Sequence, residues 1–303
     1  MSLETDLILD RRRIKRRLNL WRVLAVGAAV VALIAVVAPQ VGGGVVGRRV
    51  ARLNVTGVIT EDRKLVEAVV ALAKDRSVPA VIVSIDSPGG SVAGGESLRG
   101  ALMRVAAVKP VVAVMRGTAA SAGYMVALPA ARIFARDATL TGSIGVILQT
   151  GEVSGLLGRL GVSAEAITSG ALKDQPSVTR GLTPQGRDYL NGLVGDMYDQ
   201  FVTMVADGRK MDPAQVRTLA DGRAYTGRQA QKLGLVDEIG GEIEAREWLE
   251  RERGVPISVP AIDVRPGGLL DRTMSNALSG FWQWSLGLAP AGAWAIWQGG
   301  EPG

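Results

Sequence analysis

The sequence predicts an α/β domain built on a parallel sheet and preceded by one N-terminal transmembrane helix. Three observations predict it: β-branched runs that alternate with helix-length amphipathic stretches from residue 50 onward, an uncharged apolar stretch at 23–46, and a block of bases just before that stretch.

At the amino terminus, residues 1–22 carry Arg11, Arg12, Arg13, Lys15, Arg16, Arg17 and Arg22 against Glu4, Asp6 and Asp10, so most of the chain's net charge of +6 sits there. No further charge appears until Arg48. The strongly apolar part, 23–38, is shorter than the roughly 20 residues a bilayer crossing needs, but uncharged residues on both sides extend it. Trp21 suits an interface, and Arg22 can snorkel to the headgroups. The positive-inside rule then predicts a single-pass protein of the cell (inner) membrane, with 1–22 cytoplasmic, 23–46 an anchor and glycine-rich joint, and the remainder periplasmic or otherwise extracytoplasmic. A cleaved signal peptide is the rival, disfavoured by Pro39 directly after Ala38. A buried helix of a soluble domain leaves the flanking bases unexplained.

Beyond the joint, 50–60, 80–86 and 111–116 read as strands, being β-branched and bounded by glycine, proline or charge. Leu, Val and Ala recur at helical spacing in 62–75 and 95–108 between them. A β-α-β-α-β series of this kind predicts parallel pairing with right-handed crossovers. Short strands are expected at 133–134 and 144–148, a long helix at 183–207, shorter helices starting at Asp212-Pro213 and Thr226-Gly227, and a last strand within 256–264. The main domain is thus expected over 47–264. The tail, 265–303, holds four of the six tryptophans, Trp282, Trp284, Trp294 and Trp297, which suit an interfacial segment, an oligomer contact or a poorly ordered end equally well.

The chain has no histidine and no cysteine. A Ser-His-Asp triad, a histidine-ligated zinc, a thiolate nucleophile, a disulfide and an iron–sulfur cluster are all excluded. A base working near neutral pH must then be a carboxylate, lysine, tyrosine or terminal amine. Lysine is scarce, 7 residues against 28 arginines, and only lysine of the two can give up its proton when desolvated.

Three segments could carry chemistry. Asp86-Ser87-Pro88-Gly89-Gly90-Ser91 ends the strongest strand, where backbone N–H groups can form an anion nest or an oxyanion hole; a plain Pro-Gly turn is the competing reading. Arg116 to Tyr124 again follows a strand, and Ser121, among residues too small to block it, is either a helix cap or an accessible hydroxyl. Thr168 to Asp174 holds Lys173, either a solvated loop lysine or a base for a serine hydroxyl.

Taken in order, Ser-Pro-Gly-Gly (87–90), Ala-Ala-Ser-Ala-Gly-Tyr (119–124), Leu-Thr-Gly-Ser-Ile-Gly-Val (140–146) and Ser-Gly-Ala-Leu-Lys-Asp (169–174) resemble the signal peptide peptidase A family, membrane-anchored Ser-Lys peptidases of ClpP/crotonase-like fold. The similarity continues through 221–230 and 234–237 and spans roughly 50–249. The resemblance implies that Ser121 is the nucleophile, Lys173 its general base, and Ser143 a hydrogen-bonding partner that aims the lysine. It implies that the N–H of Gly90 belongs to the oxyanion hole, with Gly89 shaping the turn. Substrates would be signal-peptide remnants or other short or unfolded hydrophobic chains, and members assemble into homo-oligomeric rings or domes, an octamer being one such form. Two departures stand out: Ser91 replaces a frequent third glycine, and Ala122 replaces the first glycine of a frequent Ser-Gly-Gly.

Neither metal nor organic cofactor is expected, and no nucleic acid partner, the basic run at 11–22 being better explained by membrane orientation. The competing functions are a crotonase-like acyl-CoA enzyme and a non-catalytic membrane scaffold that binds peptides. Retention of Ser121, Ser143 and Lys173 disfavours the scaffold.

Overall fold

A computed structural model describes residues 21–22, 24–28 and 47–264. The chain divides into two units, Met1–Arg48 and Arg49–Gly303. In the first, residues 21–22 and 24–28 are helical. Among the described residues no helix is long and apolar enough to cross a membrane. The expected transmembrane helix, and with it the membrane-anchored, single-pass localisation, is corrected accordingly. The rest of the expected span at 23–46, the basic segment before residue 21 and the tryptophan-rich tail at 265–303 lie outside the described residues.

Among the described residues, the second unit carries one sheet of eight strands. Strand β1 (Val50–Ile59) pairs in parallel with β2 (Val81–Gly90), and β2 with β3 (Val111–Ala120). β3 then serves two neighbours: its first half pairs with β4 (Arg132–Ala135), its last residues with β5 (Leu140–Gly142). β6 (Ala224–Thr226) runs antiparallel to β5, β7 (Glu238–Ile239) adds to β4, and β8 (Ala261–Asp263) adds to β1. The expectation of a wholly parallel, ClpP/crotonase-like sheet is therefore corrected to an open, mixed α/β arrangement. β6 causes the mixing, since it reverses direction along β5 and leaves the sheet with β6 and β8 at its ends.

The sequence explains why these strands form and where they stop. Val81-Ile82-Val83-Ser84-Ile85 is buried on both faces, as a central parallel strand should be. The expected strands at 80–86 and 111–116 continue to Gly90 and Ala120 through small residues. Helices follow with caps supplied by the sequence. Asp62 accepts from the N–H of Leu65 at the start of α1 (Arg63–Leu72), and Ser91 accepts from Gly94 at the start of α2 (Val92–Ala106). After the short α3 (Ala122–Ala127) and α4 (Ser154–Arg159), Thr183 caps the long α5 (Pro184–Arg209), with Pro184 in its first turn. Asp212 and Thr226 cap α6 (Pro213–Leu219) and α7 (Gly227–Lys232), and α8 (Glu242–Arg253) closes the series on Gly254 in the left-handed conformation.

Strand alternation divides the core between the two faces of the sheet. Leu53, Val83, Ile85, Ala113 and Met115 pack with Leu102, Tyr124 and Phe201. Val50, Ile82, Val112, Val114 and Phe134 pack with Ala245, Trp248 and Leu249 of α8. The first cluster fixes α3, and with it the turn that carries Ser121.

Candidate active site

Ser121 joins β3 to α3 with φ 54° and ψ −121°. A non-glycine residue there stores about 1–3 kcal/mol of strain and needs surroundings that over-determine it. Those surroundings are visible. The N–H of Ser121 donates to the carbonyl of Gly142 at 2.9 Å, and the Ser121 carbonyl accepts from Tyr124 at 2.9 Å and Met125 at 3.1 Å. Behind it, Thr141 donates from Oγ1 to the Ala119 carbonyl at 2.8 Å. Tyr124 is wholly buried and donates its phenol to the Leu235 carbonyl at 2.8 Å. Burial pushes that phenol far above its ordinary range, so it is a neutral donor that pins the first turn of α3. The Ser121 hydroxyl does not cap α3 and makes no hydrogen bond among the described residues.

The end of β2 closes against this turn. Gly89 has φ +118°, and a β-carbon there would lie 3.2 Å from Ser121 Oγ. A β-carbon on Gly90 would lie 1.9 Å from the Ile59 carbonyl oxygen, so no side chain fits. Ser87, fully buried, holds the loop: its hydroxyl donates to the Gly57 carbonyl at 2.6 Å and accepts from the N–H of Gly89 at 3.1 Å. Ser91 donates its N–H to Ile59 at 2.9 Å, so alternation along the strand turns the Gly90 N–H away from β1. The motif explains Ser91 as well, since its hydroxyl is the cap of α2 rather than a replacement for a loop glycine.

Ser143 follows Gly142, whose carbonyl holds Ser121, and also adopts positive φ, 47°, with its N–H on the Arg223 carbonyl at 2.9 Å. The structure thus brings Ser121, Gly89 and Gly90 together, with Ser143 one residue from the strand atom that fixes Ser121. Lys173 shares no hydrogen bond with them among the described residues. It is exposed, in a turn closed by its own N–H on the Gly170 carbonyl at 3.0 Å, and its amine makes no hydrogen bond or ion pair among the described residues. The turn is hooked to the domain by Asp174, paired with Arg180, and by Gln175, which accepts from the N–H of Thr183 at 3.2 Å. The Arg180 hydrogen bond holds the Asp174 carboxyl below its ordinary range.

The segment 147–176 that carries Lys173 is an arm in which no residue is buried. The expected strand at 144–148 does not form, and α4 within the arm buries none of its residues. Large apolar side chains stand out from it, among them Ile147, Leu156, Leu160 and Ile167, the last 98% exposed. Among the described residues no group of three or more acidic, histidine or cysteine side chains is placed to hold a metal ion.

The model of peptidase family S49 matches residues 103–256, a span that includes Ser121, Ser143 and Lys173. The chain belongs to this family. It is a serine-type peptidase. Among similar S49 relatives, the Synechocystis protein named "Putative protease slr0021" is 41% identical over 202 residues, 66% of this chain and 73% of that protein. The Enterococcus faecium protein named "Putative signal peptide peptidase SppA" is 34% identical over 224 residues, 69% of this chain and 65% of the relative. "Protease 4" of Salmonella typhi is 40% identical over 167 residues, 55% of this chain but only 27% of the relative, so this S49 chain spans a part of some relatives rather than their whole length.

Ser87, Tyr124 and Thr141 stand within the sequence motifs, and their supporting roles emerge only from the structure. For Ser87 a signal existed: a hydroxyl between a buried strand and a Pro-Gly turn must find a partner inside that turn. Nothing in the sequence announced that Tyr124 and Leu235 meet.

Proposed function

We propose that this peptidase is an endopeptidase that cuts signal-peptide remnants or other short or unfolded hydrophobic peptides through a Ser121-Lys173 dyad, and that it works as a homo-oligomer. The observation that carries the reading is Ser121: an unpaired hydroxyl on a strained, over-determined turn, packed against the glycines of β2, in a chain without histidine or cysteine.

In this mechanism Lys173 accepts the Ser121 proton as Oγ attacks the peptide carbonyl. The tetrahedral oxyanion is held by the Gly90 N–H, a role supported by the engagement of the neighbouring Gly89 N–H with Ser87. Lys173 then protonates the leaving amine, and water repeats the sequence on the acyl-enzyme. Ser143 orients the lysine amine. Because Lys173 is exposed on the arm and makes no hydrogen bond to Ser121 among the described residues, the dyad is completed by Lys173 of the partner subunit when the apolar arm packs on a second copy. The exposed Ile147, Leu156, Leu160 and Ile167 support that packing, since leaving such surface in water is costly.

The test is hydrolysis of fluorogenic apolar peptides by the full chain. Ser121→Ala and Lys173→Ala should each lower kcat by about 10³-fold or more while the assemblies stay intact. Unchanged rates in either variant would remove that residue from the mechanism.

A further inference from the structure

On the sheet face that packs against α8, the apolar cluster covers only one half. Ile82, Val112, Val114 and Phe134 meet Ala245, Trp248 and Leu249, but one strand position further along β2 the same face presents Ser84. Beyond α8 the face opens into a cavity of about 460 Å³ lined by Arg52, Asn54, Ser84, Arg116, Arg136 and Glu242, with Asp263 at its edge. That volume is in the range of pockets that hold small ligands.

Ser84 is the informative residue. It interrupts a run of Val and Ile, is 6% exposed, and its hydroxyl has no hydrogen-bond partner among the described residues. The hydroxyl instead opens on the cavity, where it is free to bond what enters; valine or alanine at this position would offer no polar atom. The charges around it are unevenly used. Arg52 is taken up by Asp263 at 2.6 Å and Glu242 at 3.1 Å. Arg116 forms no ion pair in the described chain, and Arg136 is balanced only through space by Glu244, which caps the start of α8. Three guanidinium groups against two carboxylates leave one net positive charge on the lining.

We propose that this cavity is a binding site for a small organic carboxylate, held by the Arg116 and Arg136 guanidinium groups and by the Ser84 hydroxyl. A monoanion matches the single net charge, and planar guanidinium groups suit a carboxylate in bidentate geometry. A doubly charged phosphate would face the Glu242 and Asp263 carboxylates across the cavity. Arg116 is five strand residues from Ser121, roughly 16 Å at ~3.3 Å per residue, so occupancy of this site can be measured apart from cleavage.

The test is calorimetric titration of the full chain carrying Ser121→Ala with N-acetylalanine, with inorganic phosphate and N-acetylalanine amide as the comparison probes. One saturable site for the carboxylate is expected, with the amide at least about 10-fold weaker and phosphate weaker than the carboxylate. Ser84→Ala, which keeps the strand apolar, should weaken it by about 3- to 10-fold, the loss expected of one hydrogen bond. Arg116→Gln combined with Arg136→Gln should abolish it, with thermal melting confirming that the variants fold. Absence of saturable binding, equal affinity for the amide or for phosphate, or affinity indifferent to all three substitutions would overturn the proposal.

Discussion

Gly89 and Ser121 stand in direct contact: a β-carbon on Gly89 would lie 2.8 Å from Ser121 Cβ and 3.1 Å from the Ala120 carbonyl oxygen. The end of β2 is thus the wall against which the Ser121 turn is set, and the positive φ of both residues belongs to one packing solution. Gly89→Ala must strain the backbone and push Ser121 at the same time. The expected result is a fall in kcat/KM of about 100-fold, the scale associated with misplacing a reacting group by an ångström. Steady-state kinetics on the folded variant provides the check, and a near-wild-type value would mean that the turn is not set by this contact.

Tyr124 supplies the support from below. Tyr124→Phe leaves the Leu235 carbonyl without its buried donor, which should cost about 1–3 kcal/mol. A drop in Tm of several degrees is expected for a domain of this size. Calorimetry measures it, and an unchanged Tm would show that the phenol contributes packing alone.

The connection after α1 gives a pH dependence. Asp75 accepts from the Ser77 hydroxyl at 2.6 Å and the Ser77 N–H at 2.9 Å, and pairs with Arg49 at 2.8 Å. The Ser77 hydroxyl, followed by its N–H and the Arg49 charge, holds the Asp75 carboxyl below its ordinary range, against the opposing effect of burial. A depressed carboxylate stabilises the fold above its unfolded pKa of roughly 4, and the contribution is lost as pH falls through the folded value. Because the side chain is about one-third exposed, the effect is under about 1 kcal/mol. Asp75→Asn should lower Tm by a few degrees at pH 7, with the gap to wild type closing as pH falls below the unfolded value and through the lower folded one. A gap that persists at low pH would assign the effect to shape rather than charge.

Completion of the dyad between copies has its own signature. Ser121→Ala retains Lys173, and Lys173→Ala retains Ser121, so mixing the two inactive variants and allowing subunits to exchange should restore part of the peptidase activity. Continued inactivity of verified mixed assemblies would confine both residues to one chain.

Some of this was legible in the sequence because of how particular residues behave. Val, Ile and Ala runs gave β1 to within one residue, and Thr183 with Pro184 marked the start of α5. The extensions of β2 through Gly90 and of β3 through Ala120 were not legible, because glycine, alanine and serine carry little strand signal and are held there by neighbours. A strand expected at 144–148 forms instead at Leu140–Gly142, where pairing with β3 and β6 outweighs the β-branched run that follows. Helix α8 escaped notice since only Ala245, Trp248 and Leu249 of its residues are buried. The serine-type peptidase chemistry was readable from motif order in a chain lacking histidine and cysteine. The exposed setting of Lys173 was not, since it depends on an arm that buries none of its residues among the described residues.

The most direct test of Ser121 as nucleophile is intact-mass and peptide-mapping analysis of the full chain after treatment with a fluorophosphonate. A single adduct on Ser121, absent in Ser121→Ala and formed much more slowly in Lys173→Ala, is the predicted result. An adduct on Ser143 or another hydroxyl, or an active enzyme that resists labelling while it hydrolyses peptides, would contradict it.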